Sequence, residues 1–93
     1  MSTPESTGND AFVKATQDIK TLSKPPTNEN KLKLYGLYKQ AIFGENTTAQ
    51  PGMFQLEAKY KWNAWAEHKD KPKETAQKEY IALVEKLLAE DKQ

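Results

Sequence analysis

Cysteine is absent from the 93 residues, and histidine occurs once, at His68. Without thiols the chain can form no disulfide, hold no sulfur-ligated metal and use no thiolate nucleophile. One imidazole supplies neither a multi-histidine zinc site nor the second imidazole of a supported nucleophile triad, so His68 reads as a surface residue. The four glycines lie scattered at Gly8, Gly36, Gly44 and Gly52, which excludes the glycine-rich loops that cradle nucleotide phosphates. Any phosphate must then be met by side chains. No apolar run approaches the length that spans a bilayer, and the polar opening from Met1 to Ala11 has no signal-peptide core, so the expected location is cytoplasmic. Fourteen basic residues against thirteen acidic ones give a net charge of +1, far from the basic excess that drives non-specific nucleic-acid binding. A basic site, if present, is local. The length leaves room for one domain with one modest core.

What is there is helical. Residues 1–9 mix Ser, Thr, Pro, Gly and Asn without apolar periodicity and read as a flexible leader, with the folded domain spanning 10–93. Asn9 or Asp10 can cap a first helix whose Phe12, Ala15, Ile19 and Leu22 recur at helical spacing up to the break at Lys24-Pro25-Pro26. Thr27 or Asn28 can cap a second, with Leu34, Leu37, Tyr38 and Ala41 on one stripe before Gly44 stops it after Phe43. The polar stretch from Gly44 to about Met53 is longer than a tight helical hairpin needs and can cross the bundle. A third helix is expected over Phe54 to His68, with Ala58, Trp62 and Trp65 sharing a face. A fourth is expected from Lys73, after Asp70-Lys71-Pro72, to about Glu90, with Ala76, Tyr80, Leu83, Val84, Leu87 and Leu88 on its apolar stripe. No strand alternation competes, and no repeat or low-complexity tract extends beyond the leader.

Catalytic groups are scarce. Carboxylates such as Glu85 and Glu90 lie on an exposed face, where such residues solvate the surface or pair with lysine, and no enzyme activity is expected. One constellation remains. Tyr35, Tyr38 and Lys39 sit at i, i+3 and i+4 of the second helix, a plausible clasp for an anion; the third helix offers Lys59 and Lys61 beside Trp62 and Trp65, and the fourth offers Tyr80. On periodicity alone the favoured reading is plainer: half-buried core tyrosines with wetted hydroxyls, structural tryptophans, and lysines lying along the surface.

The functional reading is lifted by the elements Tyr35-Gly36-Leu37-Tyr38-Lys39-Gln40-Ala41, Gly44, Pro51-Gly52-Met53, Lys61-Trp62-Asn63-Ala64-Trp65, and Ala76 with Tyr80-Ile81. Together they resemble the acyl-CoA-binding protein family over about Phe12 to Leu88. The resemblance implies an all-α fold, an antiparallel four-helix bundle with a long loop between helices two and three. It also implies a non-enzymatic carrier that binds long-chain fatty acyl-CoA one to one, as a monomer, and forms an intracellular pool in lipid metabolism. No cofactor or metal is implied, and partners beyond the ligand would be transient contacts with acyl-CoA-using enzymes and membranes.

By that family's motif, Tyr35, Lys39 and Lys61 would engage the 3′-phosphate and its surroundings, Tyr38 and Tyr80 would lie near adenine and ribose, and Lys20 would be an auxiliary cation. Phe12 and Leu32 would line the acyl-chain groove. The chain departs from the family's usual pattern at Lys31, Glu57 and Tyr60, all expected at the rim of the site, and the Asp70-Lys71-Pro72 turn lacks the glycine often found there. Two other classes stay open on the residues: a helical module whose Tyr and Trp face a protein partner, and nucleic-acid binding through Lys59, Lys61 and the tryptophans, opposed by Glu57, Glu67 and the near-neutral charge.

Overall fold

Asn9 opens the first helix: its side-chain oxygen accepts the Phe12 amide at 3.2 Å, satisfying one of the N–H groups that a first turn leaves free. The structure, a computed structural model, describes residues 3–92. From this cap α1 runs Asp10–Asp18, burying Phe12 and Ala15, then tightens into a 3-10 turn over Ile19–Thr21, so the helix stops short of the Pro25-Pro26 break. Pro4–Thr7 form a 3-10 turn that ends at Gly8, whose φ of 69° suits glycine, and the turn packs against α1 and the second helix. Its bonds are local, from the Ser6 and Gly8 amides to the Thr3 and Glu5 carbonyls, and apolar periodicity carries no trace of them. Met1 and Ser2 of the expected leader, and Gln93, lie outside the described residues.

Thr27 caps α2, Asn28–Phe43, by accepting the Asn30 amide at 3.1 Å, and Gly44 with φ 77° ends it. α2 buries Leu34, Gly36, Leu37, Gln40, Ala41 and Ile42, a wide girth because it packs against both of the helices that follow and the Pro4–Thr7 turn. α3, Leu56–Ala66, packs on α2 alone and buries only Ala64; of Ala58, Trp62 and Trp65, expected to share a face, Ala58 is exposed and the tryptophans are half-buried. Pro72 precedes α4, Lys73–Asp91, whose Ala76, Gln77, Tyr80, Val84 and Leu87 are buried. Four α-helices thus form, and no strand occurs among the described residues.

Hydrogen bonds between helix ends give the directions. Gln40 donates to the Lys71 carbonyl at 2.7 Å and Gln77 to the Ala41 carbonyl at 3.2 Å, so the end of α2 meets the start of α4 and the two run antiparallel. Asn9 donates to Gln77 at 2.9 Å, and the Ser23 hydroxyl to Asp91 at 2.7 Å, so α1 lies along α4 start to start and end to end. The Ser23 bonds also hold the Asp91 carboxyl below its usual range. α3 follows α2 in the same direction, with Tyr60 near Leu32, Ala64 against Gly36 and Trp65 at Gly44. Residues 44–55 make this possible by carrying the chain back along α2.

The core lies where α1, α2 and α4 meet, built from Phe12, Leu34, Leu37, Ala41, Ile42, Ala76, Tyr80, Val84 and Leu87. Phe12 is completely enclosed, its ring 5.1 Å from that of Tyr80 in an edge-on arrangement. Full burial of a side chain this size contributes about 1.5–3 kcal/mol. α3 stands outside this core, which leaves the α2–α3 seam open to solvent on the side that carries the lysines.

Candidate ligand-binding site

Two residues of α2 one turn apart begin the site. Tyr35 and Lys39 share a face, and Phe43 extends the same row by another turn. The Lys39 ammonium lies 4.8 Å from the Phe43 ring centre, 5.6 Å from that of Trp65 and 5.7 Å from that of Tyr35. Each ring offers its electron-rich face to the cation, an interaction that grows as water is excluded. From α3, the Lys61 ammonium reaches within 5.6 Å of the same Tyr35 ring. Tyr35 is therefore approached by two ammonium groups carried by different helices.

Lys61 also pairs with Glu57 at 3.3 Å, one turn earlier on α3. Both partners face solvent, so the pair is worth about 0.2–1 kcal/mol and yields readily to a stronger anion. The tryptophans take the structural part expected of them. Trp65 donates its indole N–H to the Gly44 carbonyl at 2.8 Å, and Trp62 donates to the Thr48 carbonyl and hydroxyl, both at 3.0 Å. They pin the connection to α3 while Trp65 supports Lys39. Phe43 and Trp65 as supports of Lys39 escaped the sequence reading, although the i+4 spacing from Lys39 to Phe43 was there to be used.

Tyr38 turns the other way. Its ring lies 6.1 Å from Phe12 and 6.2 Å from Tyr80, forming an aromatic trio on the α1–α4 side of α2. Tyr80 is 4% exposed, and burial first, then the neighbouring Tyr38, pushes its phenol up to about 12. At neutral pH it stays protonated and can donate a hydrogen bond. Phe12, expected in an open acyl-chain groove, has no exposed surface here; packing by the two tyrosines closes that end. Leu32 instead borders an open cleft of about 460 Å³ between α2 and α3, lined also by Asn28, Lys31, Glu57, Tyr60 and Lys61. Lys31, Glu57 and Tyr60, expected at the rim of the site, all line this one cleft.

Lys20 is not brought to the cluster. It is exposed on the 3-10 turn after α1, and that turn contacts α1 and α4 but neither α2 nor α3. His68, expected at the surface, is half-buried against Gly36; burial, then the Lys71 charge, holds its pKa below the usual value. Among the described residues no group of three or more His, Asp or Glu side chains could hold a metal ion, and no helix is long and apolar enough to cross a membrane.

The model of the family described as "Acyl CoA binding protein" matches residues 9–84. Acyl-CoA-binding protein homolog 1 of Caenorhabditis elegans is 52% identical over 79 residues, covering 85% of this chain and 92% of the relative. The Acyl-CoA-binding protein homolog of Drosophila melanogaster is 46% identical over 81 residues, covering 87% and 94%. The crystal structure of Oryza sativa Acyl-CoA-Binding Protein 2 superposes with a TM-score of 0.87 at 45% identity, over 90% of this chain and 91% of that one. In sequence and in fold alike, this chain belongs to the acyl-CoA-binding protein family.

Proposed function

We propose that this protein binds long-chain fatty acyl-CoA esters one to one, without catalysing their conversion, and serves as a monomeric cytoplasmic carrier and pool former in lipid metabolism. The observation that carries the reading is the Tyr35 ring flanked by the Lys39 and Lys61 ammonium groups, beside the cleft bordered by Leu32 and Tyr60. Phosphate oxygens of the CoA head group would be met by the two lysines and the Tyr35 hydroxyl, each charge-assisted hydrogen bond contributing roughly 1.5–3 kcal/mol. Tyr38 and Tyr80 supply the aromatic surroundings proposed for adenine and ribose, Tyr80 as a protonated donor, with Lys20 as a more distant cation. The acyl chain would lie along Leu32 in the α2–α3 cleft, gaining about 0.8 kcal/mol per buried methylene. Phe12 would shape this site from beneath, through Tyr38 and Tyr80.

Isothermal titration with palmitoyl-CoA, free CoA and palmitate, all below the concentration of micelle formation, tests the reading. Tight one-to-one binding of the ester, weaker binding of CoA and little heat from palmitate are expected. A folded protein that takes up none of the three overturns the proposal.

A further inference from the structure

Two open clefts lie along the α2–α3 seam, and one pair of side chains stands between them. The cleft beside Lys61 has a volume of about 460 Å³; a second, of about 410 Å³, is lined by Glu29, Lys33, Glu67 and His68 among others. Leu32 of α2 and Tyr60 of α3 border both clefts. One turn further along each helix Gly36 meets Ala64, so close that a Cβ atom on the glycine would lie 2.3 Å from the Ala64 carbonyl oxygen. Backbone shuts the seam at that crossing. At Leu32 it is a side chain, the ring of Tyr60, that keeps the two clefts apart. Tyr60 is 58% exposed, so much of its ring is free to meet a ligand.

The two clefts offer a hydrocarbon different surroundings. The first adjoins the Tyr35, Lys39 and Lys61 cluster, so an ester anchored there by its phosphates lays its acyl chain towards Leu32. The second carries Glu67 and the exposed Glu29–Lys33 pair, 3.5 Å apart, charged groups that hold water and give methylenes little. Each methylene that an acyl chain buries raises affinity roughly fourfold, and the gain ends where apolar cover ends. We infer that Tyr60 sets the acyl-chain length beyond which this protein gains no further affinity, its ring closing the seam beside Leu32 and stopping the tail within the first cleft. Removing the ring would open a passage between the helices bordered by Leu32 and Ala64. This role rests on the carrier reading, and it depends on the bulk of the ring and not on the phenol hydroxyl.

Calorimetric titration of the full chain with saturated acyl-CoA esters lengthened two carbons at a time, all below micelle formation, tests it. Affinity for the unaltered protein is expected to climb with chain length and then level off. Tyr60→Ala should carry the climb at least one two-carbon step further, that step raising affinity about tenfold, with free CoA bound as before. Tyr60→Phe keeps the ring and should level off where the unaltered protein does. An unchanged circular dichroism spectrum and melting temperature establish that each variant folds. A second reading needs no variant: nuclear Overhauser effects should join the Tyr60 ring protons to the terminal methyl of the ester at the limiting length. A limit unmoved by Tyr60→Ala, a limit moved by Tyr60→Phe, or a terminal methyl without contact to Tyr60 overturns the inference and leaves the carrier reading standing. Equal loss of affinity for every ester and for free CoA in Tyr60→Ala also overturns it, assigning the ring to the head group. If the unaltered protein binds no ester, the carrier reading falls and the inference with it.

Discussion

A Cβ atom placed on Gly36 would lie 2.3 Å from the carbonyl oxygen of Ala64 and 2.8 Å from its carbonyl carbon. Neither distance is compatible with an alanine at this crossing, and the atoms in the way are backbone. Because α3 packs on α2 alone, this contact sets how far Lys61 stands from Tyr35. The glycine of the Tyr35-Gly36-Leu37-Tyr38 element is thus a spacer for the site.

Gly36→Ala should therefore destabilise the protein. Helix propensity favours alanine by roughly 0.5–1 kcal/mol, but forced overpacking costs about 1–3 kcal/mol, so the clash outweighs the gain. Urea denaturation is expected to show a lower midpoint, and the displaced Lys61 should weaken acyl-CoA binding. An unchanged or higher midpoint would contradict the close crossing.

Lys39→Ala and Lys61→Ala should each weaken palmitoyl-CoA binding by roughly tenfold to a hundredfold, the equivalent of one charge-assisted hydrogen bond. The double variant should lose less than the product of the two, since both cations flank one ring and answer one anion. Tyr35→Phe keeps the ring and removes only the hydroxyl, so its effect should be smaller. Melting temperatures should barely move for Lys61→Ala, because its pairing with Glu57 is solvent-exposed.

Trp65→Phe removes the donor to the Gly44 carbonyl and part of the support beneath Lys39. A loss of about 1–3 kcal/mol in denaturation experiments is expected, with weaker acyl-CoA binding alongside it. Trp62→Phe, whose N–H serves the exposed Thr48, should cost less than Trp65→Phe in both measurements.

Tyr80 should ionise near pH 12, against the ordinary 10.0, when phenolate absorbance is followed in the folded protein. The unfolded chain releases this proton first, so above pH 10 it binds fewer protons than the native state and stability falls as pH rises. The contribution is intact below about pH 10 and lost as pH approaches 12. Tyr80→Phe should remove that portion of the alkaline slope in a plot of stability against pH. An identical slope in the variant would place the loss elsewhere.

The helices were legible because their signals are local. Thr27 before Asn28, Gly44 after Phe43, and Pro72 before Lys73 mark ends that short-range hydrogen bonding and φ preferences enforce wherever the segment sits. The 3-10 turn at Pro4–Thr7 and the early end of α1 at Asp18 escaped the reading, since turns held by a few local bonds need no apolar repeat. Ala58, grouped by spacing with Trp62 and Trp65, is exposed for a different reason. α3 meets a single neighbour, and its narrow contact, centred on Ala64, is set by the approach of Gly36 rather than by any stripe of large residues.

For the candidate site, sequence alone offered the parts: three lysines at Lys20, Lys39 and Lys61, three tyrosines, and the spacing that puts Tyr35, Tyr38 and Lys39 on adjoining turns of one helix. Only the tertiary structure decided how they divide. With α4 against one flank of α2 and α3 against the other, Tyr35 and Lys39 turn towards Lys61, while Tyr38 joins Phe12 and Tyr80 in the core. Helical spacing fixes the angle between neighbours on one helix. Which neighbour meets solvent and which meets a ring depends on where the chain's distant segments pack, and no interval along the sequence encodes that distance.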